Sequence, residues 1–272
     1  LFRGRTSKTP LWIGILLFVA LAAITIATAD ADDLSKDTLR LLLWQAPTTL
    51  NPQVLSGSKD QVVTRIIYEP LATFDVTGKL VPFLAAEIPS LDNGDVAADG
   101  KSVIWKLKRG IKWSDGEPFT AKDVVFTYNY VTNPEVGSSD SSDFGAVEKV
   151  EALDDFTVKI TFKEANPAWV LPFVGAHGLI MPEHVFAAYN NAQASTAPAN
   201  FAPVGTGPYV AKEFRKEDVL LIGDDVVNTV KIIYEPNPYY RDPEKLHFRQ
   251  VIVQGGGDAT VAPGIAVPLQ LA

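Results

Sequence analysis

Residues Ser102 to Lys108 alternate between apolar and charged. Val103, Trp105 and Leu107 fall on one face and Lys106 and Lys108 on the other, the period of two that a half-buried strand imposes. Phe156, Val158, Ile160 and Phe162 repeat the pattern, and with Val147–Leu153 they predict a hairpin turning at Asp154-Asp155. Thr38–Trp44 reads as a Leu-rich strand ended by Ala46-Pro47, and Leu71–Phe74 as a short strand before a Thr77-Gly78 turn. Further strands are expected at Tyr209–Phe214, Val219–Ile222, Val230–Glu235 and Phe248–Gln254, with Asn237-Pro238-Tyr239-Tyr240 as an aromatic turn between the last two.

Elsewhere the period is helical. Val62, Val63, Ile66 and Ile67 share a side of a predicted helix over 60–68. Glu69-Pro70 stops it, because the residue before a proline is pushed out of the helical region. Thr120-Ala121-Lys122-Asp123 has the form of a capping box and opens a helix that Asn133-Pro134 closes, with Val124, Val125, Tyr128 and Val131 on its buried face. Pro182 starts a third helix, reaching about Tyr189. Residues 137–146, rich in Gly, Ser and Asp, read as a flexible loop, and residues 190–200 as a surface connection. Acidic residues 92–100 miss the spacing of a calcium loop and read as a solvated turn. Hairpins and isolated helices without regular alternation or an internal repeat give an α+β fold, or a complex α/β fold with more than one sheet.

Composition narrows the setting. Across 272 residues, 24 Lys+Arg face 32 Asp+Glu, a net charge of −8 that disfavours nucleic acid as a partner. There is no cysteine, which excludes disulfides, thiolate metal sites and a cysteine-anchored lipoprotein. Arg3, Arg5 and Lys8 precede an apolar run from Leu11 to Ala29, and Ala27-Thr28-Ala29 fits an A-x-A cleavage pattern with Asp30 as the first mature residue. Ala29-Asp30-Ala31 is a second choice for cleavage. The run also approaches the roughly 20 residues that span a bilayer, so residues 11–29 read either as a signal peptide or as an anchor in the inner membrane. Both readings put the remainder outside the cytoplasm. Without residues 1–29 the count is 24 less three, or 21 basic residues against 32 acidic ones, a net of −11. The chain begins at Leu1 and its one methionine is Met181, so the expectation is an unusual start codon or an earlier start.

Catalysis finds no foothold. His177, His184 and His247 are scattered without metal-ligand spacing, and no G-x-S-x-G, Walker A or H-E-x-x-H stretch occurs. Gly205-x-Gly207 lacks a third glycine, and Pro208 blocks the helix start that a phosphate loop needs. The histidines are read as surface or packing residues, the chain is read as a non-enzyme, and no catalytic, cofactor or metal residue is assigned. Trp113 and Trp169 stand between a ligand-facing and a core role.

Several stretches together resemble the family 5 extracellular solute-binding proteins, the peptide and nickel binders of ABC importers. They are Leu50-Asn51-Pro52, Ile67-Tyr68-Glu69-Pro70-Leu71, the block from Trp105 through Gly116 continuing into Pro118–Phe126, Gly205-Thr206-Gly207-Pro208-Tyr209, and Asn237-Pro238-Tyr239-Tyr240. The resemblance runs from about Leu39 to Asp258. It implies a clamshell of the periplasmic-binding-protein type II, closing on its ligand at the lobe boundary. Residues 36–75 and 201–255 would form a split hinge-side lobe, and residues 76–200 the extra domain typical of the family. The resemblance also implies a monomer outside the cytoplasm, in the periplasm, that hands peptides or similar small solutes to an ABC permease. Ser56, Gly57 and Ser58, in the loop that lines the cleft in similar proteins, are the expected ligand contacts, through backbone groups; a plain surface loop is the competing reading. Residues 256–272, ending in the uncharged stretch Thr260–Ala272 with its two prolines, depart from the family and read as an aberrant tail. The expectation is a chain with only the first lobe and the extra domain, binding ligand weakly or not at all. A non-functional truncated or frameshifted remnant and a membrane-anchored interaction domain are the alternatives.

Overall fold

The computed structural model describes residues 37–220 and 226–256. Along them run β1 (Thr38–Leu43), α1 (Ser58–Thr64), β2 (Ala72–Phe74), β3 (Leu80–Pro82), β4 (Ser102–Lys106), α2 (Ala121–Thr132), β5 (Val147–Asp154), β6 (Thr157–Phe162), α3 (Glu183–Phe186), β7 (Tyr209–Leu220), β8 (Val226–Pro236) and β9 (Gln250–Gly255). The leader, the Thr260–Ala272 tail and the tip between β7 and β8 lie outside the described residues. Among the described residues no helix is long and apolar enough to cross a membrane.

The strands make three sheets, ordered β1-β9-β8-β7, β4-β6-β5 and β2-β3. In the largest, β1 runs parallel to β9, with Thr38 opposite Gln250 and Leu43 opposite Gly255, while β9, β8 and β7 are antiparallel. The first and last described strands therefore pair, and residues 44–208 form one long connection from β1 to β7. The three-stranded sheet is antiparallel and sets Trp105 opposite Val158 and Val103 opposite Ile160. All four side chains are fully buried, as the alternating pattern requires. One apolar core joins these sheets to α1 and α2.

Several expectations need correction. The predicted strands at Tyr209–Phe214 and Val219–Ile222 are not separate, since β7 runs unbroken to Leu220 against β8. Backbone pairing carries it through a charged stretch and past a register shift between Ala211 and Glu213, where side-chain periodicity fails. Helix α1 starts two residues early and ends at Thr64, and its buried stripe is narrower than expected: Val63 and Ile67 are buried, whereas Val62 is exposed. Helix α2 is capped as predicted, Thr120 taking the Lys122 N–H while Asp123 takes the Thr120 N–H. It buries two faces rather than one. Val124 and Val131 enter the main core, while Phe126 and Tyr130 join Met181 and Phe186 in a second cluster. The loop over 137–146 holds a 3-10 turn, Ser141–Phe144, whose buried Phe144 meets Phe173 edge-on at 5.1 Å. Residues 190–200 likewise form two turns that bury Ala194, Ala197 and Asn200.

A single junction locks distant segments together. Gly207 N–H donates to the Ile67 carbonyl at 2.7 Å, Ser114 N–H donates to the Gly205 carbonyl at 3.0 Å, and Asn237 Nδ2 donates to the Gly207 carbonyl at 2.8 Å. A Cβ at Gly205 or Gly207 would overlap the Ile67 carbonyl oxygen. Beside it Arg241 grips Glu69 with two hydrogen bonds of 2.6 and 2.8 Å. The junction cannot relax around an added methyl, because main chain stands on both sides. Gly205→Ala is therefore expected to cost about 3 kcal/mol in urea unfolding; a cost below about 1 kcal/mol would mean that the contact yields.

Candidate functional site

Ser56, Gly57 and Ser58 sit together at the start of α1, and all three are exposed. Gly57 has φ 138° and ψ −176°, a conformation in practice reserved for glycine. Its carbonyl accepts the N–H groups of Asp60 and Gln61 at 3.0 and 3.3 Å.

Buried Asp60 stands behind the loop and fixes it. Its carboxylate accepts Thr48 N–H at 2.6 Å, Thr48 Oγ1 at 2.9 Å, Ser56 N–H at 2.9 Å and Ser56 Oγ at 3.1 Å, and pairs with Lys59 Nζ at 3.0 Å. Ser56 is thus committed to holding the loop through both its N–H and its hydroxyl, and Ser58 is left exposed. Burial works against the Asp60 charge, but the N–H groups of Thr48 and Ser56 with Lys59 outweigh it and hold the carboxyl below the ordinary range. Sequence reasoning missed Asp60. The available signal was an acid in the first turn of a helix, where a carboxylate can satisfy unpaired N–H groups.

The Leu50-Asn51-Pro52 stretch is structural. Asn51 Nδ2 donates to Asn200 Oδ1 at 2.9 Å and to Tyr130 Oη at 3.2 Å, pinning the segment to α2. Trp113 is fully buried and donates to Asp123 at 3.3 Å, so it belongs to the core. Trp169 is half-buried, packs 6.0 Å from Trp105 and borders a groove of about 680 Å³ with Leu91, Asp92, Asp99 and Asn166. His184 bonds Asp115 at 2.8 Å, and His247 borders an apolar concavity of about 330 Å³ with Leu39, Ile66 and Phe248.

His177 is different. Its Nδ1 lies 2.7 Å from Asp140 Oδ1 and 4.0 Å from Asp143 Oδ2, and its Nε2 lies 3.4 Å from Gln61 Nε2 on α1. The cluster therefore adjoins the helix that carries the Ser56–Ser58 loop. The hydrogen bond to Asp140 raises the pKa of His177. Two loops far apart in the chain supply these groups, so no local spacing announces them.

Asp60 yields a pH prediction. Its folded pKa is depressed below 3.8, so its stabilisation is complete above the unfolded value and is lost as pH falls through the folded one. Asp60→Asn is expected to cost about 2 kcal/mol at neutral pH. The gap between wild type and variant in denaturant midpoint should close below pH 3.8. A gap unchanged down to about pH 2 would assign the loss to packing alone.

Residues 79–263, more than half of the chain, match the family model described as bacterial extracellular solute-binding proteins, family 5, middle region. Protein XP55 of Streptomyces lividans is 33% identical over 71% of this chain and 31% of its own length. The glutathione-binding protein GsiB of Pectobacterium atrosepticum is 32% identical over 60% of this chain and 29% of its own length. Among solved structures, NikZ from Campylobacter jejuni in complex with Ni(L-His) superposes with a TM-score of 0.67 and 26% identity, covering 84% of this chain and 41% of that one. The chain thus spans about a third of the curated relatives it matches, and the solved neighbours are type II periplasmic binding proteins with mixed sheets. On this sequence match and fold, the chain belongs to the bacterial extracellular solute-binding proteins of family 5.

Proposed function

We propose that this chain is part of the extracytoplasmic binding component of an ABC importer, which captures peptides or similar small solutes and passes them to a membrane permease. The match over residues 79–263 carries this reading. The protein acts by binding and not by catalysis, as a monomer in the periplasm.

Residues 36–75 and 201–255 are assigned to a hinge-side lobe and 76–200 to an extra domain. Two features support the division. The sheet β1-β9-β8-β7 draws its strands from the first set, and β4-β6-β5 draws its strands from the second. The exposed backbone at Ser56, Gly57 and Ser58 forms part of the solute site. A loop held from behind by Asp60 is already ordered, so a solute bound there costs little further entropy.

The test is thermal unfolding of the protein translated from its complete gene, against a panel of short peptides, glutathione and metal chelates. At least one solute is expected to raise Tm, by the equivalent of about 2.7 kcal/mol at a hundredfold excess over Kd. Ser58→Tyr, which sets a ring over the loop, is expected to weaken that response. An undiminished response in S58Y would remove the loop from the site, and silence across the whole panel would remove the function.

Residues 11–29 are assigned to export, as a leader cleaved before Asp30. Intact-mass measurement of the exported protein is expected to place its N-terminus at Asp30; retention of residues 11–29 would make the segment a membrane anchor.

A further inference from the structure

We propose that Asp140, Asp143 and His177 form a binding site for a first-row divalent cation of the Zn2+ type. This goes beyond solute capture and does not depend on it.

The donor set is one imidazole nitrogen and two carboxylates, with the three ligand atoms within 4.8 Å of one another. Imidazole favours borderline ions such as Zn2+ over Ca2+ and Mg2+, and carboxylates complete such sites. Around a tetrahedral Zn2+ with bonds of about 2.0 Å, donors stand roughly 3.3 Å apart. The separations here, 2.7 Å from His177 Nδ1 to Asp140 and 4.0 Å to Asp143, bracket that value. A cation entering between them replaces the proton that bridges His177 and Asp140, and the imidazole keeps its other proton on Nε2.

A second feature favours a cation. The Asp140 side chain is only 3% exposed, and its Oδ2 finds no hydrogen-bond donor among the described residues. Buried carboxylate oxygens are normally satisfied, so Oδ2 keeps a lone pair open to a cation. Three other buried carboxylates, Asp60, Glu69 and Asp123, are engaged at both oxygens. Asp123 takes Thr120 N–H and Trp113 Nε1 on one oxygen and Glu183 N–H on the other.

The surroundings suit a site and not merely an ion pair. His177 and Asp143 are 51% and 38% exposed, leaving a path for an ion and room for water as a fourth ligand. Asp140 is held through its own N–H by Ser138 Oγ at 3.2 Å, and Ser138 bonds Gln53 at 3.3 Å, so an outer shell is in place. Phe173, in the left-handed region at φ 64°, and Gly178, where a Cβ would overlap the Phe173 backbone, fold the loop tightly under His177.

The experiment is calorimetric titration of the untagged full chain with Zn2+ alone, with Ca2+ and Mg2+ as parallel arms. One Zn2+ per chain is expected, with proton release and a rise in Tm, and no response to Ca2+ or Mg2+. Asp143→Asn, an isosteric change at a half-exposed position, should weaken Zn2+ binding ten- to a hundredfold without altering the metal-free melt. His177→Gln should abolish it. Absence of Zn2+ binding to wild type, or equal binding to D143N and H177Q, would overturn the site. A Ca2+ response matching that of Zn2+ would overturn the assigned class of ion.

Discussion

The carbonyl of Ile67 lies at the junction where four parts of the chain meet. Gly207 donates to it, and both Gly205 and Gly207 lie so close that neither position has room for a side chain. Ser114 and Asn237 then bond to the glycine carbonyls, which draws in the turn after β4 and the turn after β8. Glycine is needed here for close approach and not for an unusual backbone angle. The neighbouring Glu69–Arg241 pair reinforces the junction. Burying the two charges is costly, and the bidentate geometry with two short hydrogen bonds is what offsets it. Motifs that look like separate signatures along the chain are thus one contact in space.

Buried carboxylates organise the rest, and each does so by collecting donors that local structure leaves unpaired. Asp123 caps α2, accepts the Trp113 indole and receives Glu183 N–H from the start of α3, so one side chain orients a strand turn and two helices. Asp60 does the same for the Thr48 and Ser56 loops. Asp140 resembles them in burial but not in satisfaction, since one oxygen has His177 and the other has no donor among the described residues. That asymmetry separates a structural carboxylate from a candidate ligand.

The candidate solute loop leads into α1, and Gln61 of that helix reaches the His177 cluster. Both are presented by rigid supports. One is the Asp60 network. The other is the edge-on contact of Phe144 with Phe173 at 5.1 Å. A loop ordered before its ligand arrives loses less entropy on binding, which suits a capture surface.

Much of this was legible in the sequence. Alternation at Val103, Trp105 and Leu107 fixed a strand, Thr120 and Asp123 fixed a cap, and Asn133-Pro134 fixed where α2 stops, because these depend on residues within a turn or a pleat of one another. Gly57 marked the loop before α1 for the same local reason. The parallel pairing of β1 with β9, the second buried face of α2 and the continuity of β7 were not legible, since each depends on a partner far along the chain. Phe126 and Tyr130 carry no mark that tells which side of α2 will meet Met181 and Phe186. The site divides in the same way. Ser56, Gly57 and Ser58 are singled out only by the resemblance of the stretch that precedes them, whereas Asp60 became the anchor of the loop only when Thr48 was folded onto it. Asp140, Asp143 and His177 became neighbours only when two loops were stacked through Phe144 and Phe173. Local sequence set the elements and the identity of the family; which charged groups came within bonding distance was decided by tertiary packing, because that distance depends on long-range contacts that no local period encodes.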